Sequence, residues 1–493
     1  MRAVAVVLVL LLDLVLAADP PKLTALHPAG IAIGAEAIVD AMGSSTWPVK
    51  AWCSSPAVKI EPLPEKGKLK IKATPDASPG PILIRLYNEA GASDARIFVL
   101  GSAPELLEVP KNDRPEDAHA VASLPVTING ILEKRGDVDF FRVSLKRGQT
   151  LHARLEAYSL RTEIDPYLHL IAPDGRELAL ASDAHNLDPV LVATVPANGA
   201  YLIQLSAIAH KATAEVAFAG AADRVYRLSL QTTPIPHVLP KSDSVEGPAP
   251  QTIKAPHRLQ GTVAKAGEKD RYRVEAAAGS KLRVRVEART LHLPMDPVLR
   301  IYKAEGALLR ETDDSNAKPD PFFDVTVEAA GFFEAEVRDR FRRPEMTYQL
   351  VIEPIVPAYK ATATPDALVL TAGKTAELTL NLSREDGHSA ALELLFSDLP
   401  AGITWKAEAI PAKTGPFKVT LSAPPTAPAF SGPIHLSLKE PGPAPAKPIV
   451  RTWQTEESRG DYLINETADF WLTVIAVPVP PSPAPAPPAV PTP

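Results

Sequence analysis

The sequence predicts an all-β chain, built as tandem β-sandwich or jelly-roll domains in a beads-on-a-string arrangement. Three observations predict it. First, 52 of the 493 residues are Pro, and proline breaks helices because it lacks the N–H and clashes with the preceding turn. Second, stretches such as Leu69-Lys70-Ile71-Lys72-Ala73 and Leu282-Arg283-Val284-Arg285-Val286 alternate apolar and polar residues, the period-two signature of a half-buried strand. Third, turn signals fall between such stretches, among them Pro173-Asp174-Gly175, Ala197-Asn198-Gly199 and Arg384-Glu385-Asp386-Gly387. No convincing amphipathic helix interrupts the pattern.

The ends differ from the body. Residues 1–18 have the order of a secretory signal peptide: Arg2, an apolar run over 4–15 broken by Asp13, then small residues at Ala17 and Ala18. The run is short for a membrane span, and no second stretch of 18 apolar residues follows. Residues 477–493 form a Pro/Ala-rich tail suited to an extended, polyproline-like conformation. The expectation is an exported protein that is periplasmic, cell-surface associated or extracellular. A single cysteine, Cys53, excludes an intrachain disulfide and a cysteine-rich zinc cluster. The net charge of −6 leaves no basic footprint for nucleic acid.

Between the ends, the strongest signal is an internal repeat. Asn129-Gly130 returns as Gln260-Gly261, and Asp139-Phe140-Phe141-Arg142-Val143 as Asp270-Arg271-Tyr272-Arg273-Val274, both 131 positions later. Gly148, Asp165-Pro166 and Asp183 map onto Gly279, Asp296-Pro297 and Asp314 at the same offset. After one inserted residue, Asp188-Pro189 matches Asp320-Pro321 and Gly199 matches Gly331. Two β domains follow, 104–233 and 251–355, separated by a Pro/Ser-rich linker at 234–250. Residues 19–103 suit one small immunoglobulin-like sandwich of short strands, and residues 356–476 suit another.

The motifs of the repeats resemble a known family. Asn129-Gly130, Asp137-Val138-Asp139-Phe140-Phe141, Gly148-Gln149, Asp165-Pro166-Tyr167-Leu168 and Ser182-Asp183 together resemble the bacterial pre-peptidase C-terminal domain. That family is a β-sandwich module of secreted bacterial proteins, often beside peptidases. The first segment looks like an IPT/TIG-like module, and the last resembles Ig-like modules of bacterial surface proteins. The resemblance extends to collagen-binding domains, where acidic and Asn residues hold calcium. It implies a calcium site in the first repeat at Glu108, Asn112, Asp113, Asp137 and Asp139, although a family acidic position is Pro110 here. Oxygen-rich clusters suit calcium, which takes six to eight oxygen ligands. The alternative is that Asp137 and Asp139 are solvated turn residues accepting backbone N–H groups. The second repeat departs further, with Gly267-Glu268-Lys269-Asp270 at the turn and no Asn-Asp pair before it.

Catalytic motifs are missing. There is no Gly-x-Ser-x-Gly elbow, no His-Glu-x-x-His helix and no Gly-x-x-x-x-Gly-Lys phosphate loop. Cys53, in Trp52-Cys53-Ser54, reads as a buried, inert thiol. His185 and His292 read as polar loop residues. Asp313-Asp314-Ser315-Asn316, with Asp320, is the densest acidic loop; the turn-capping reading is favoured over a cation site. Arg338-Asp339-Arg340-Phe341-Arg342-Arg343 reads as a solvated hairpin tip, with contact to an anionic polymer as the alternative. None of the five Trp lies in a repeat. The expectation is a non-catalytic protein that binds or organises extracellular polysaccharide or protein through sandwich loops. The alternative is an accessory or targeting subunit of a separate secreted peptidase or hydrolase.

Overall fold

The computed structural model describes residues 19–184, 187–209, 217–234, 239–291, 293–315, 319–328, 330–454 and 463–477. The expected signal peptide, the tail beyond Val477, and His185, Asn186, His292 and Asn316 lie outside these residues. The described chain is all-β. Its helical turns are two three-residue 3-10 turns, Tyr158–Leu160 and Arg289–Leu291.

Alternation in the sequence becomes alternation in burial. In Lys281–Glu287, Leu282, Val284 and Val286 point into the core while the arginines between them face outward. In Thr150–Glu156, Leu151, Ala153 and Leu155 do the same. Burying each of these leucines and valines contributes roughly 1.5–3 kcal/mol.

The first repeat is a sandwich of two five-stranded sheets. One runs Glu105–Leu107, Val126–Ile131, Val225–Gln231, Thr150–Glu156, Val190–Thr194. The other runs His119–Val121, Asp139–Leu145, Gly199–Ala209, Ile164–Ile171, Glu177–Ala181. The second repeat has the same order strand for strand. Its sheets are Ser244–Val245, His257–Val263, Met346–Pro354, Lys281–Glu287, Phe322–Thr326 and Gln251–Lys254, Asp270–Ala276, Gly331–Asp339, Pro297–Tyr302, Leu308–Thr312. In both, the first strand of each sheet is a parallel edge strand.

The second repeat begins earlier than expected. Within the stretch read as a linker, 234–250, Ser244–Val245 pairs with Leu259–Gln260. Leu239 packs on the core, and the Pro240 carbonyl accepts from Gln349. A Pro/Ser-rich composition hid one short edge strand, which needs few apolar side chains of its own.

The outer segments are smaller sandwiches. In the first, Lys22–His27, Glu36–Ser44, Lys68–Ala73 and Val58–Pro62 face Gly30–Ala32, Arg96–Gly101, Gly80–Asn88 and Lys50–Cys53. In the last, Ala358–Thr364, Thr375–Glu385, Gly415–Ser422 and Thr404–Ala407 face Ala367–Thr371, Phe470–Ile475, Phe430–Lys439 and Glu393–Ser397. These two ends of the chain touch. Trp471 of the last sandwich packs against Trp52 and Tyr87 of the first, with ring centroids 6.0 and 4.6 Å apart. The first repeat joins the same contact. Ala29, Ile97, Leu160, Val225 and Trp453 share one apolar cluster drawn from three sandwiches.

Candidate metal centre

The acidic residues singled out from the sequence lie at one end of the first repeat, where the chain crosses from one sheet to the other. Glu108 follows the edge strand Glu105–Leu107, and its amide donates to the Asn129 carbonyl at 3.0 Å. The crossover then passes Asn112, whose carbonyl is held by the Phe140 amide at 2.9 Å. Asp137 closes a turn in which Gly136 has φ 84°, a left-handed conformation that glycine adopts without strain. Asp139 opens the strand Asp139–Leu145.

These elements bring Asp113, Asp137 and Asp139 together. One carboxylate oxygen from each lies within 4.8 Å of the others. Two ligands on opposite sides of a calcium ion, each at about 2.3–2.6 Å, span a similar distance. Asn112 is buried beside them, its amide against Asp139 Oδ1 and the Val109 carbonyl, both acceptors. With its nitrogen inward it donates to both at 3.2 Å; with its oxygen inward it adds a ligand atom. Glu108 stands behind this group. Its Oε1 accepts from the Ile131 amide at 2.8 Å and its Oε2 from the Tyr226 hydroxyl at 2.6 Å.

Asp137 and Asp139 are not solvated. They are 3% and 2% exposed. Asp137 does accept a backbone N–H, from Glu133 at 2.6 Å through Oδ2. Its Oδ1 is buried without a hydrogen bond and faces the Lys134 ammonium at 3.7 Å. The Tyr226 hydroxyl reaches both Glu108 Oε2 and Asp139 Oδ2, the latter at 2.7 Å. One hydroxyl proton cannot serve two ionised carboxylates at once. Burial, then the Glu108 charge, pushes the Asp139 carboxyl up to about 9, and burial pushes Glu108 up to about 7. The nearby positive charge is Lys134, 2.6 Å from Asp113 and 3.7 Å from Asp137.

The tyrosine explains the Asn-Gly pair of the repeat. A Cβ on Gly130 would lie 2.3 Å from Tyr226 Cζ and 2.5 Å from Glu108 Oε2. Gly261 meets Tyr348 Cζ at 2.4 Å in the same way. Asn129 faces the other side of the sheet, where its Oδ1 accepts from the Ala29 amide of the first sandwich at 3.0 Å.

The second repeat keeps half of this arrangement. Tyr348 donates to Asp270 Oδ2 at 2.7 Å, and Glu246 accepts from the Thr262 amide at 3.0 Å. Glu246 thus stands where Glu108 stands in the first repeat. In place of Phe141 is Tyr272, whose hydroxyl is 2.5 Å from that of Tyr348. Glu268 Oε2 takes the Lys265 amide. A tyrosine pair therefore closes the end that carries the extra carboxylates and the Asn-Asp pair in the first repeat.

The other sequence candidates serve the fold. Asp188 accepts from the amides of Ala157, Tyr158 and Ser159 at 2.7–2.9 Å, and Asp320 from those of Ala288, Arg289 and Thr290 at 2.9–3.0 Å. Each carboxylate caps a 3-10 turn, which is why the Asp-Pro pair recurs. Asp313 pairs with Arg340 at 2.6 Å. In the arginine cluster, Asp339 holds Arg343 at 2.7 Å and Arg338 leans on Glu311 at 3.3 Å. Cys53 is half-buried in Lys50–Cys53, and burial pushes its thiol up to about 11. A thiol so rarely ionised is a poor nucleophile.

No family model and no curated protein matches the chain. Solved structures do. A pre-peptidase C-terminal domain of a collagenase from Bacillus anthracis is 10% identical, covering 23% of this chain and 99% of that one, with a TM-score of 0.18. The S-layer protein SbsC is 7% identical, covering 94% of this chain with a TM-score of 0.16. The chain spans about half, 55%, of that S-layer structure. Likenesses this weak say nothing of function.

Proposed function

We propose that this chain is an exported, non-catalytic modular protein that binds or organises cell-surface or extracellular material. Its first repeat is a pre-peptidase C-terminal-like module with a calcium site at Asn112, Asp113, Asp137 and Asp139. The observation that carries the site is the convergence of three aspartates on one spot, where the buried Asp137 Oδ1 makes no hydrogen bond and meets only the long Lys134 ion pair at 3.7 Å. The donor set is all oxygen, as a hard cation requires. Glu108 supports it from behind by fixing Tyr226 against Asp139. A bound ion adds positive charge to that of Lys134 in this buried acidic group. Asn112 and Asp113 then tie the crossover to the turn at Asp137, which stiffens one end of the sandwich. The reading as a binding module draws on the signal-peptide pattern and on the missing catalytic motifs. It draws also on the commitment of Asp188, Asp320 and Asp339 to main-chain and arginine partners.

The test is a calorimetric titration of the mature chain with calcium after chelation, beside co-sedimentation with envelope fragments, insoluble polysaccharide and fibrous protein. Calcium should bind the wild type. Asp137→Asn and Asp113→Asn should weaken binding by about tenfold or more, roughly 1.4 kcal/mol each. Lys134→Ala should tighten it, because the ammonium competes for Asp113. Titration heat unchanged in Asp137→Asn would overturn the site. Failure to co-sediment with any of the three materials, in calcium or in chelator, would overturn the binding reading.

A further inference from the structure

At the corresponding end of the second repeat the charge is reversed. A groove of about 310 Å³ opens there, lined by Lys269, Arg300, Arg338 and Arg342, with Glu268 and Asp339. Two of these cations are engaged. Arg300 pairs with Glu311 at 2.7 Å and with the fully buried Glu336 at 3.3 Å, and Arg338 shares Glu311. The two acids are engaged as well, Glu268 by the Lys265 amide and Asp339 by Arg343. Lys269 and Arg342 are exposed, and no acidic partner for either is found among the described residues. Arg342 is held at the groove by its own backbone, with φ 60° and its carbonyl taken by the Gly267 amide at 3.1 Å.

The first repeat shows that the fold does not require these charges. Through the shared strand registers, Lys269, Arg300 and Arg338 stand where Val138, His169 and Ser206 stand in the first repeat. Three separate elements of the second repeat place a cation at one spot. The sheet face beside the groove continues the pattern, with Arg271 lying over Tyr302 and Arg273 over Phe332 at 4.8 and 4.0 Å. Arg271 is itself engaged by Glu336 at 2.7 Å, so the unpaired charge at the groove rests on Lys269 and Arg342.

We propose that this groove binds the carboxylate or phosphate groups of an acidic polysaccharide. The inference rests on the reading of the chain as a binder of extracellular material, and it names the ligand class. Charge density selects a glycan over nucleic acid. Duplex DNA carries one charge per about 1.7 Å of axis, which suits a dense basic stripe. Here two unpaired cations sit on a chain of net charge −6. That sparse pattern suits a polymer with about one charge per sugar, since a denser polyanion is repelled by the rest of the protein.

The experiment is affinity electrophoresis of the mature chain in gels containing polygalacturonate, a phosphomannan or neutral dextran, at about 50 and about 300 mM salt. Polygalacturonate reads carboxylate recognition and phosphomannan reads phosphate. At least one should retard the protein at low salt, dextran should not, and added salt should release it. The double variant Lys269→Glu/Arg342→Glu should weaken retardation about tenfold or more, with its melting temperature and calcium titration unchanged. Lys269→Ser/Arg342→Ser, which removes charge without reversing it, should lie between. Retardation equal in the variants, equal in dextran, or absent throughout would overturn the proposal, as would stronger binding of single-stranded DNA in competition. Calcium titration of the first repeat, and co-sedimentation of the Lys269→Ser/Arg342→Ser variant with fibrous protein, read the general function without this groove.

Discussion

Arg85 and Asp366 are 281 residues apart in the chain and 2.7 Å apart in space. Arg85 is fully buried in the strand Gly80–Asn88 of the first sandwich. Its other amino group donates to the Ser93 carbonyl at 2.7 Å. The pair fastens the first sandwich to the last, beside Trp471.

Removing one partner leaves the other charge buried and unpaired. Arg85→Ala or Asp366→Ala should each lower stability by about 3–5 kcal/mol. The double variant Arg85→Met/Asp366→Leu should lose less than either, because it leaves no orphan charge. Chemical denaturation checks this, and limited proteolysis should release the end sandwiches sooner in the single variants.

Gly130→Ala and Gly261→Ala should each destabilise their repeat by about 1–3 kcal/mol, the usual cost of overpacking a close contact. Adding Tyr226→Phe should not rescue Gly130→Ala, since the ring carbon Cζ at 2.3 Å remains after the hydroxyl is gone. Thermal melts of the three variants separate a clash with the ring from a clash with the hydroxyl.

The second repeat should gain stability on mild acidification. Burial pushes the Asp270 carboxyl up to about 7 in the folded protein, from an ordinary 3.8. The folded state therefore holds that proton more tightly than the unfolded state. Stability from this group rises as pH falls from about 7 towards 3.8, and the ionised form is penalised above that window. Asp270→Asn keeps an acceptor for Tyr348 and should flatten the dependence. Unfolding midpoints between pH 4 and 8, approximately, compared for the two proteins, test the sign.

Strands such as Lys281–Glu287 were legible because alternation of side chains is a local property of the pleated chain. The repeated Asp188 and Asp320 are legible in the spacing, and turn capping is the role the sequence favours for the Asp320 loop. Gly130 was visible too, but its reason was not, because Tyr226 reaches it from a strand far along the chain. Glu246 is not legible in the repeat for a different reason. Glu108 precedes Asn129 by 21 residues, whereas Glu246 precedes Gln260 by 14, so a comparison at constant offset passes over it. At the acidic centre, the residue types were readable; the burial of Asp137 and the position of Glu108 behind Asp139 were not.

By itself the sequence determined the all-β class, the duplication and the residue types at each end of the two repeats. These follow from period-two alternation, turn chemistry and the constant spacing of Gly, Asp and Pro, all of which act between neighbours in the chain. Tertiary structure alone decided which charges are neutralised. It set Arg85 against Asp366, gathered Asp113, Asp137 and Asp139, and left Lys269 and Arg342 unpaired among the described residues. Electrostatic energy depends on distance and burial rather than on order along the chain, so equivalent ends of two similar sandwiches came to carry opposite charge.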